Sequence, residues 1–132
     1  MLNFTTYAKN FILNLTFSEN RNSMTTPTNF YVGIARKIYD TTETIDEVTS
    51  QSYKRTLVKF YQANNCEIDN NESIVFPKAI EDWGDNLEGI AIFDSQTGGN
   101  IWAIAKFNIK DSIRALDVWD IPANFLLIGF KK

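Results

Sequence analysis

The sequence of 132 residues contains no histidine and a single cysteine, Cys66. Without histidine, Ser-His and Cys-His nucleophile systems and histidine-ligated metal sites are excluded. One cysteine can form neither an intramolecular disulfide nor a cysteine metal cluster. Excess positive charge is lacking too. Thirteen Lys and Arg against 16 Asp and Glu leave a net charge of −3, which supplies no general field for nucleic acid. No apolar run approaches the roughly eighteen residues needed to cross a bilayer. Asn3, Lys9, Asn10 and Asn14 interrupt any signal-peptide core in residues 1–17. Gly98-Gly99 lacks the lysine and helix of a phosphate-cradling loop. The expectation is a chain that is not an enzyme, holds no cofactor or metal, and has no nucleic-acid or membrane partner.

What the chain does have is aromatic residues. Ten Phe, five Tyr and three Trp, within a composition 44% apolar and 22% charged, point to a β-rich core or to adhesive surfaces. The length fits one domain, residues 1–132, burying about two thirds of its unfolded surface.

Residues 4–17 carry a helical stripe of Phe4, Tyr7, Ala8, Phe11, Ile12 and Leu15, with Asn3 as the expected N-cap. Such a helix either docks a partner or, more commonly, closes one end of a sheet core. Residues 18–28 and 37–52 read as polar loops. Strands are expected at Asn29–Arg36, Tyr53–Phe60, Ser73–Phe76, Gly89–Phe93, Ile101–Ala105, Arg114–Asp120 and Phe125–Phe130. Ser95–Asn100, with two glycines free to take positive φ, reads as a hairpin connection. A polar break is expected at Lys106–Ser112. The last strand shows no polar face before Lys131, which predicts burial on both sides, either inside the fold or against a neighbouring subunit. The fold class is therefore mainly β: an antiparallel sandwich of about seven strands over residues 29–132, led by one amphipathic helix.

Few residues suggest chemistry. Asp40, Glu43, Asp46 and Glu47 offer oxygens for Ca²⁺ or Mg²⁺, but their spacing matches no EF-hand and a solvated acidic loop is the plainer reading. Lys54, Arg55 and Lys59 between Tyr53 and Phe60 suggest a nucleic-acid stripe, outweighed by nearby Glu67, Asp69 and Glu72. Asp82 and Asp85 flank Trp83-Gly84 in the manner of a glycosidase pair, though nothing in the sequence fixes their separation. Asp117 and Asp120 around Trp119 read as strand and turn polarity. Trp83, Trp102 and Trp119 are the possible stacking platforms for a sugar.

The order of the motifs resembles a family of small virion structural proteins of tailed bacteriophages, the tail-fibre-like proteins. The helix Tyr7–Phe17 is followed by Pro27-Thr28 entering a strand, then by Glu47-Val48 and Ser52-Tyr53-Lys54-Arg55. Phe76-Pro77, Trp83-Gly84, Gly89–Asp94, Thr97–Asn100 and Ile121-Pro122-Ala123-Asn124 complete the series. Two departures stand in the loops: Thr49–Ser52 replaces a glycine-rich stretch, and the proline of the family's acidic loop is missing; the closing Ile121–Asn124 resembles the family's Ile-Pro-Ala-Gly turn. The resemblance implies a non-enzymatic building block of the virion, made in the host cytoplasm. It would sit in the tail, the baseplate or the fibre attachment, with capsid decoration or a head fibre as the alternative. Its partners would be other virion proteins and copies of itself. A receptor- or carbohydrate-binding module is the rival reading. Phe11, Leu15, Trp119, Phe125, Leu127 and Phe130 are the candidate assembly interface.

Overall fold

In the computed structural model, which describes residues 2–130, the sheet is organised around strand β2, Phe30–Tyr39. Its Val32 and Ile34 are fully buried on one face. Strand β7 (Gly84–Phe93) lies antiparallel to it, pairing Val32 with Ile92 and Ile34 with Ile90. Strand β8 (Ile101–Ile113) pairs with the other side of β7. The short β1 (Asn3–Phe4) closes that edge against Ala103 and Ile104. On the far edge of β2 sit β3 (Thr44–Glu47) and β4 (Thr56–Val58). Two ribbons complete the fold: β5 (Glu67–Asp69) with β10 (Leu127–Gly129), and β6 (Ile74–Val75) with β9 (Asp120–Ile121). The core lies between the six-stranded sheet, which supplies Val32, Ile34, Ile90 and Ile92, and an opposite layer supplying Ile74, Phe76, Ile121, Leu126 and Ile128. The protein is mainly β, antiparallel and sandwich-like, as its alternating and β-branched segments require.

Helix α1, Thr6–Phe17, packs on β8. Its N-cap is Thr5, whose Oγ1 accepts the Ala8 N–H at 3.2 Å and donates to the Ile101 carbonyl at 2.6 Å. Asn3 is drawn into β1 instead, because the sheet edge offers it backbone partners. The helix docks through an irregularity in β8. Ile92 pairs with Ala103 and Phe93 with Ile101, so Trp102 is the extra residue of a bulge and is turned toward the helix. Its ring meets Phe11 at 4.9 Å, Phe30 at 5.3 Å and Tyr7 at 5.7 Å.

Several expectations need correction. The described strands number ten, several of only two or three residues. The loop foreseen at 37–52 contains the end of β2 and all of β3, a polar hairpin without apolar alternation to betray it. The break foreseen at 106–112 lies inside β8, which continues to Ile113 with its register displaced between Leu87↔Asp111 and Gly89↔Lys106. Arg114–Asp120 is mostly a turn, with Leu116 at φ +75°, and only its end joins β9. Tyr53–Phe60 narrows to β4. Within the chain itself the final strand buries one side only: Leu126 and Ile128 are inside, whereas Phe125 is 75% and Phe130 54% exposed. It belongs to a two-stranded ribbon, which has one face to bury. Lys131 lies outside the described residues.

Candidate assembly surface and the polar anchors beneath it

Glu47, Tyr53 and Arg55 occupy the gap between β3 and β4 along the edge of β2. Arg55 meets Glu47 through two parallel bonds, Nε to Oε2 and Nη2 to Oε1, both 2.9 Å. Its Nη1 donates to the carbonyls of Ser95 at 2.8 Å and Gly98 at 2.7 Å. The guanidinium carbon lies 3.4 Å from the centre of the Phe93 ring, a cation–π stack. Tyr53 Oη donates to Glu47 Oε2 and accepts the Ile34 N–H at 2.9 Å, closing a backbone position that no strand covers. Burial first, and then the Glu47 carboxylate, push the Tyr53 phenol far above its ordinary pKa. Gly33 makes the room. A Cβ there would stand 2.8 Å from Glu47 Oε2 and 2.8 Å from the Phe93 ring.

The same motifs fix the neighbouring loops. Gly98 and Gly99 have φ +61° and +74°, conformations for which glycine is suited. Asp94 accepts the Asn100 N–H at 2.8 Å, the Asn100 amide at 3.1 Å and Trp102 Nε1 at 3.1 Å. Partial burial pulls the Asp94 pKa upward, but these hydrogen bonds outweigh it and hold the carboxyl below its ordinary value. Ser52 Oγ donates to Glu81 at 2.8 Å and accepts Trp83 Nε1 at 2.9 Å. At the opposite end, fully buried Asn70 donates to the carbonyls of Glu72 at 2.9 Å and Pro122 at 3.0 Å. Its Oδ1 accepts the Leu126 N–H at 2.8 Å. Asn70 thereby holds the Ile121–Asn124 turn, in which Asn124 takes φ +71°, a conformation asparagine tolerates in place of glycine.

The residues with suspected chemistry are dispersed. Asp40 pairs with Lys106, Glu43 accepts the Thr6 N–H at the start of α1, Asp46 accepts the Tyr39 hydroxyl, and Glu47 holds Arg55. The four carboxylates therefore face four different partners. Asp82 accepts the Ala115 N–H and Asp85 pairs with Arg114, both at the surface. Asp117 caps the turn at the Arg114 N–H. Arg55 turns inward while Lys54 and Lys59 stay exposed, so the basic stripe is broken. Trp83 and Trp102 are buried, and half-buried Trp119 packs on Phe76 at 5.5 Å.

Of the six candidate interface residues, Phe11 faces Trp102 and Leu15 is half-buried on the same helix. The other four lie on or beside the two short ribbons, Trp119 just before β9 and Phe125, Leu127 and Phe130 along β10. Phe130 stacks on Phe4 at 5.2 Å. A groove of ≈ 460 Å³ runs beside Trp119, Phe125 and Leu127. A second, wholly apolar cavity of ≈ 210 Å³ lies between α1 and the β5–β10 ribbon, among Phe4, Ile12, Phe60 and Ile128. The buried Glu47–Arg55 pair and the Asn70 latch had been missed. The usable signals were Glu-Val followed at short range by Tyr-x-Arg, and an Asn-Asn step beside a turn.

A family model described as "Podophage GP4 fiber I protein gp80" matches residues 3–129, nearly the entire chain. No curated protein matches it.

Proposed function

The chain belongs to the podophage GP4 fiber I protein gp80 family, and from that membership we propose that it is a non-enzymatic building block of a phage fibre, working by docking to other virion proteins. The observation that carries this reading is the contrast between interior and surface. The buried polar side chains named above are spent on holding turns, whereas large apolar side chains are left exposed at the surface. Phe125, 75% exposed, lines a groove with Leu127 and Trp119, and Phe130, 54% exposed, stacks on Phe4 beyond the other end of β10. Exposed aromatics around a groove fit the centre of a protein interface better than a substrate cleft. Phe11, packed on Trp102, and half-buried Leu15 seat α1 on the sheet instead. One domain spanning residues 1–132 suffices for such a role.

The fibre is favoured over tail tube, baseplate or capsid decoration by the family description. The sugar-binding alternative loses two of its three platforms and keeps only half-buried Trp119, because Trp83 and Trp102 are 3% and 8% exposed and their Nε1 atoms are spent on Ser52 and Asp94. Particle reconstruction or immunogold labelling is expected to place the chain in a fibre. Phe125→Asp with Phe130→Asp is expected to abolish incorporation while leaving circular dichroism unchanged. A doubly substituted chain that still incorporates fully would refute the docking surface.

A further inference from the structure

The hollow of ≈ 210 Å³ between helix α1 and the β5–β10 ribbon has, among the described residues, no polar atom at its wall. Buried Ile92, Trp102, Ala103 and Ile128 form its floor, with Phe4 and Phe30 at the sides. Half-buried Ile12 of α1 and Ile68 of β5 form the rim. The one polar atom of the Trp102 ring is already spent, since Nε1 donates to Asp94 at 3.1 Å. The two sides of the hollow are held by separate anchors. Thr5 and Glu43 fix the first turn of α1, through the Ile101 carbonyl and the Thr6 N–H. The ribbon is tied elsewhere, by the Leu2 N–H on the Leu127 carbonyl at 2.9 Å and by Asn70 on the Leu126 N–H. Neither side can settle into the space, so the groups around it lack contacts where they face it.

We propose that this hollow is a binding site for a small uncharged hydrocarbon, of the size of benzene or toluene. A dry cavity of about 150 Å³ lined by aliphatic and aromatic groups is large enough for benzene. The ≈ 210 Å³ available here therefore admits the ring with a small alkyl group. Water is a poor occupant, because it needs about two to four polar partners and the wall offers none. A charged or hydrogen-bonding ligand would lose its hydration without replacement. The rings already present favour an aromatic guest. Trp102 meets Phe11 and Phe30 edge to face at 4.9 and 5.3 Å, a geometry that a further ring extends. The hollow shares no lining residue with the groove beside Phe125, and the proposal does not rest on the fibre reading.

Benzene titrated into the full chain is expected to shift the methyl signals of Ile12, Ala103 and Ile128 in carbon–proton correlation spectra. Saturation with a Kd on the order of 1 mM is expected, well within what a ring of that size supplies. Pyrazine has the same shape with a ring nitrogen at either end, and is expected to bind at least about 10-fold more weakly. Ile12→Trp, which fills the space from the rim, is expected to abolish the benzene shifts at Ala103 and Ile128. Should Ile12→Trp fail to fold, the wild-type comparison of benzene with pyrazine decides. Methyl shifts that do not saturate or that fall outside the hollow, equal affinity for pyrazine, or full benzene binding by folded Ile12→Trp would overturn the proposal. Any of these would leave the placement of the chain in a fibre, read from labelled particles, untouched.

Discussion

Two buried side chains, Arg55 and Asn70, do the same mechanical job at opposite ends of the molecule, and they do it differently. Each donates to two backbone carbonyls and so ties a distant turn to the fold. Arg55 holds the Ser95 and Gly98 carbonyls of the β7–β8 turn. Asn70 holds those of Glu72 and Pro122. The guanidinium cannot be buried alone, so it brings a carboxylate, a phenol and an aromatic face: Glu47, Tyr53 and Phe93. The amide carries donor and acceptor in one group and is fully buried without a charged partner. An ionised anchor thus commits three further residues, whereas a neutral one commits only itself.

The sharpest way to break the comparison is to remove one charge. Arg55→Met leaves Glu47 half-buried and unpaired, and is expected to cost roughly 3–5 kcal/mol in urea unfolding. Arg55→Met with Glu47→Leu is expected to recover most of that loss; a double variant as unstable as the single one would show that the pair is not the anchor. Asn70→Ala removes three hydrogen bonds but leaves no charge, and about 2–3 kcal/mol is expected. Amide exchange should quicken at Leu126 while the 94–100 turn stays protected. Equal loosening of both turns would mean that the anchors are coupled rather than separate.

Tyr53→Phe leaves the Arg55–Glu47 bonds in place and strips the Ile34 N–H of its acceptor. About 1 kcal/mol is expected, together with loss of a phenol that, in the wild type, resists alkaline titration until the chain unfolds. The smallest effect is acidic. The Asp94 carboxyl is lowered in the folded state, so its contribution is present above the ordinary carboxylate value near pH 4. It is lost as pH falls through the lower folded value. Thermal melts of Asp94→Asn should therefore differ from wild type more at neutral pH than at the acid end of the range. A constant difference would exclude titration of Asp94 as the cause.

Much of the sheet was legible because it lies in apolar alternation. The segment Gly89–Phe93, the turn at Gly98-Gly99 and the amphipathic helix stand where the residues placed them. The polar strands were not legible. Strand β3 (Thr-Ile-Asp-Glu) and the end of β8 carry no hydrophobic period, and they are strands because β2 and β7 offer them backbone partners. Arg114–Asp120 alternates well and is nevertheless a turn, since Asp117 caps it and Leu116 takes a left-handed conformation. The candidate interface was half legible. Phe125 and Phe130 are exposed, but whether an aromatic is core or surface depends on which layer faces it, which no local pattern states.

The sequence by itself determined the class of this protein. Missing histidine removed most catalytic chemistry, aromatic and β-branched periodicity required an antiparallel β fold, and the ordered motifs carried the family. Only the tertiary structure decided what those motifs are for. Glu47, Tyr53, Arg55, Phe93 and Gly98 are scattered over some fifty residues, yet meet as one anchor. Hydrophobic periodicity is a short-range property, fixed by the 3.6- and 2-residue repeats of the backbone. The pairing of a buried charge is long-range, and is set by which strands the sheet brings side by side.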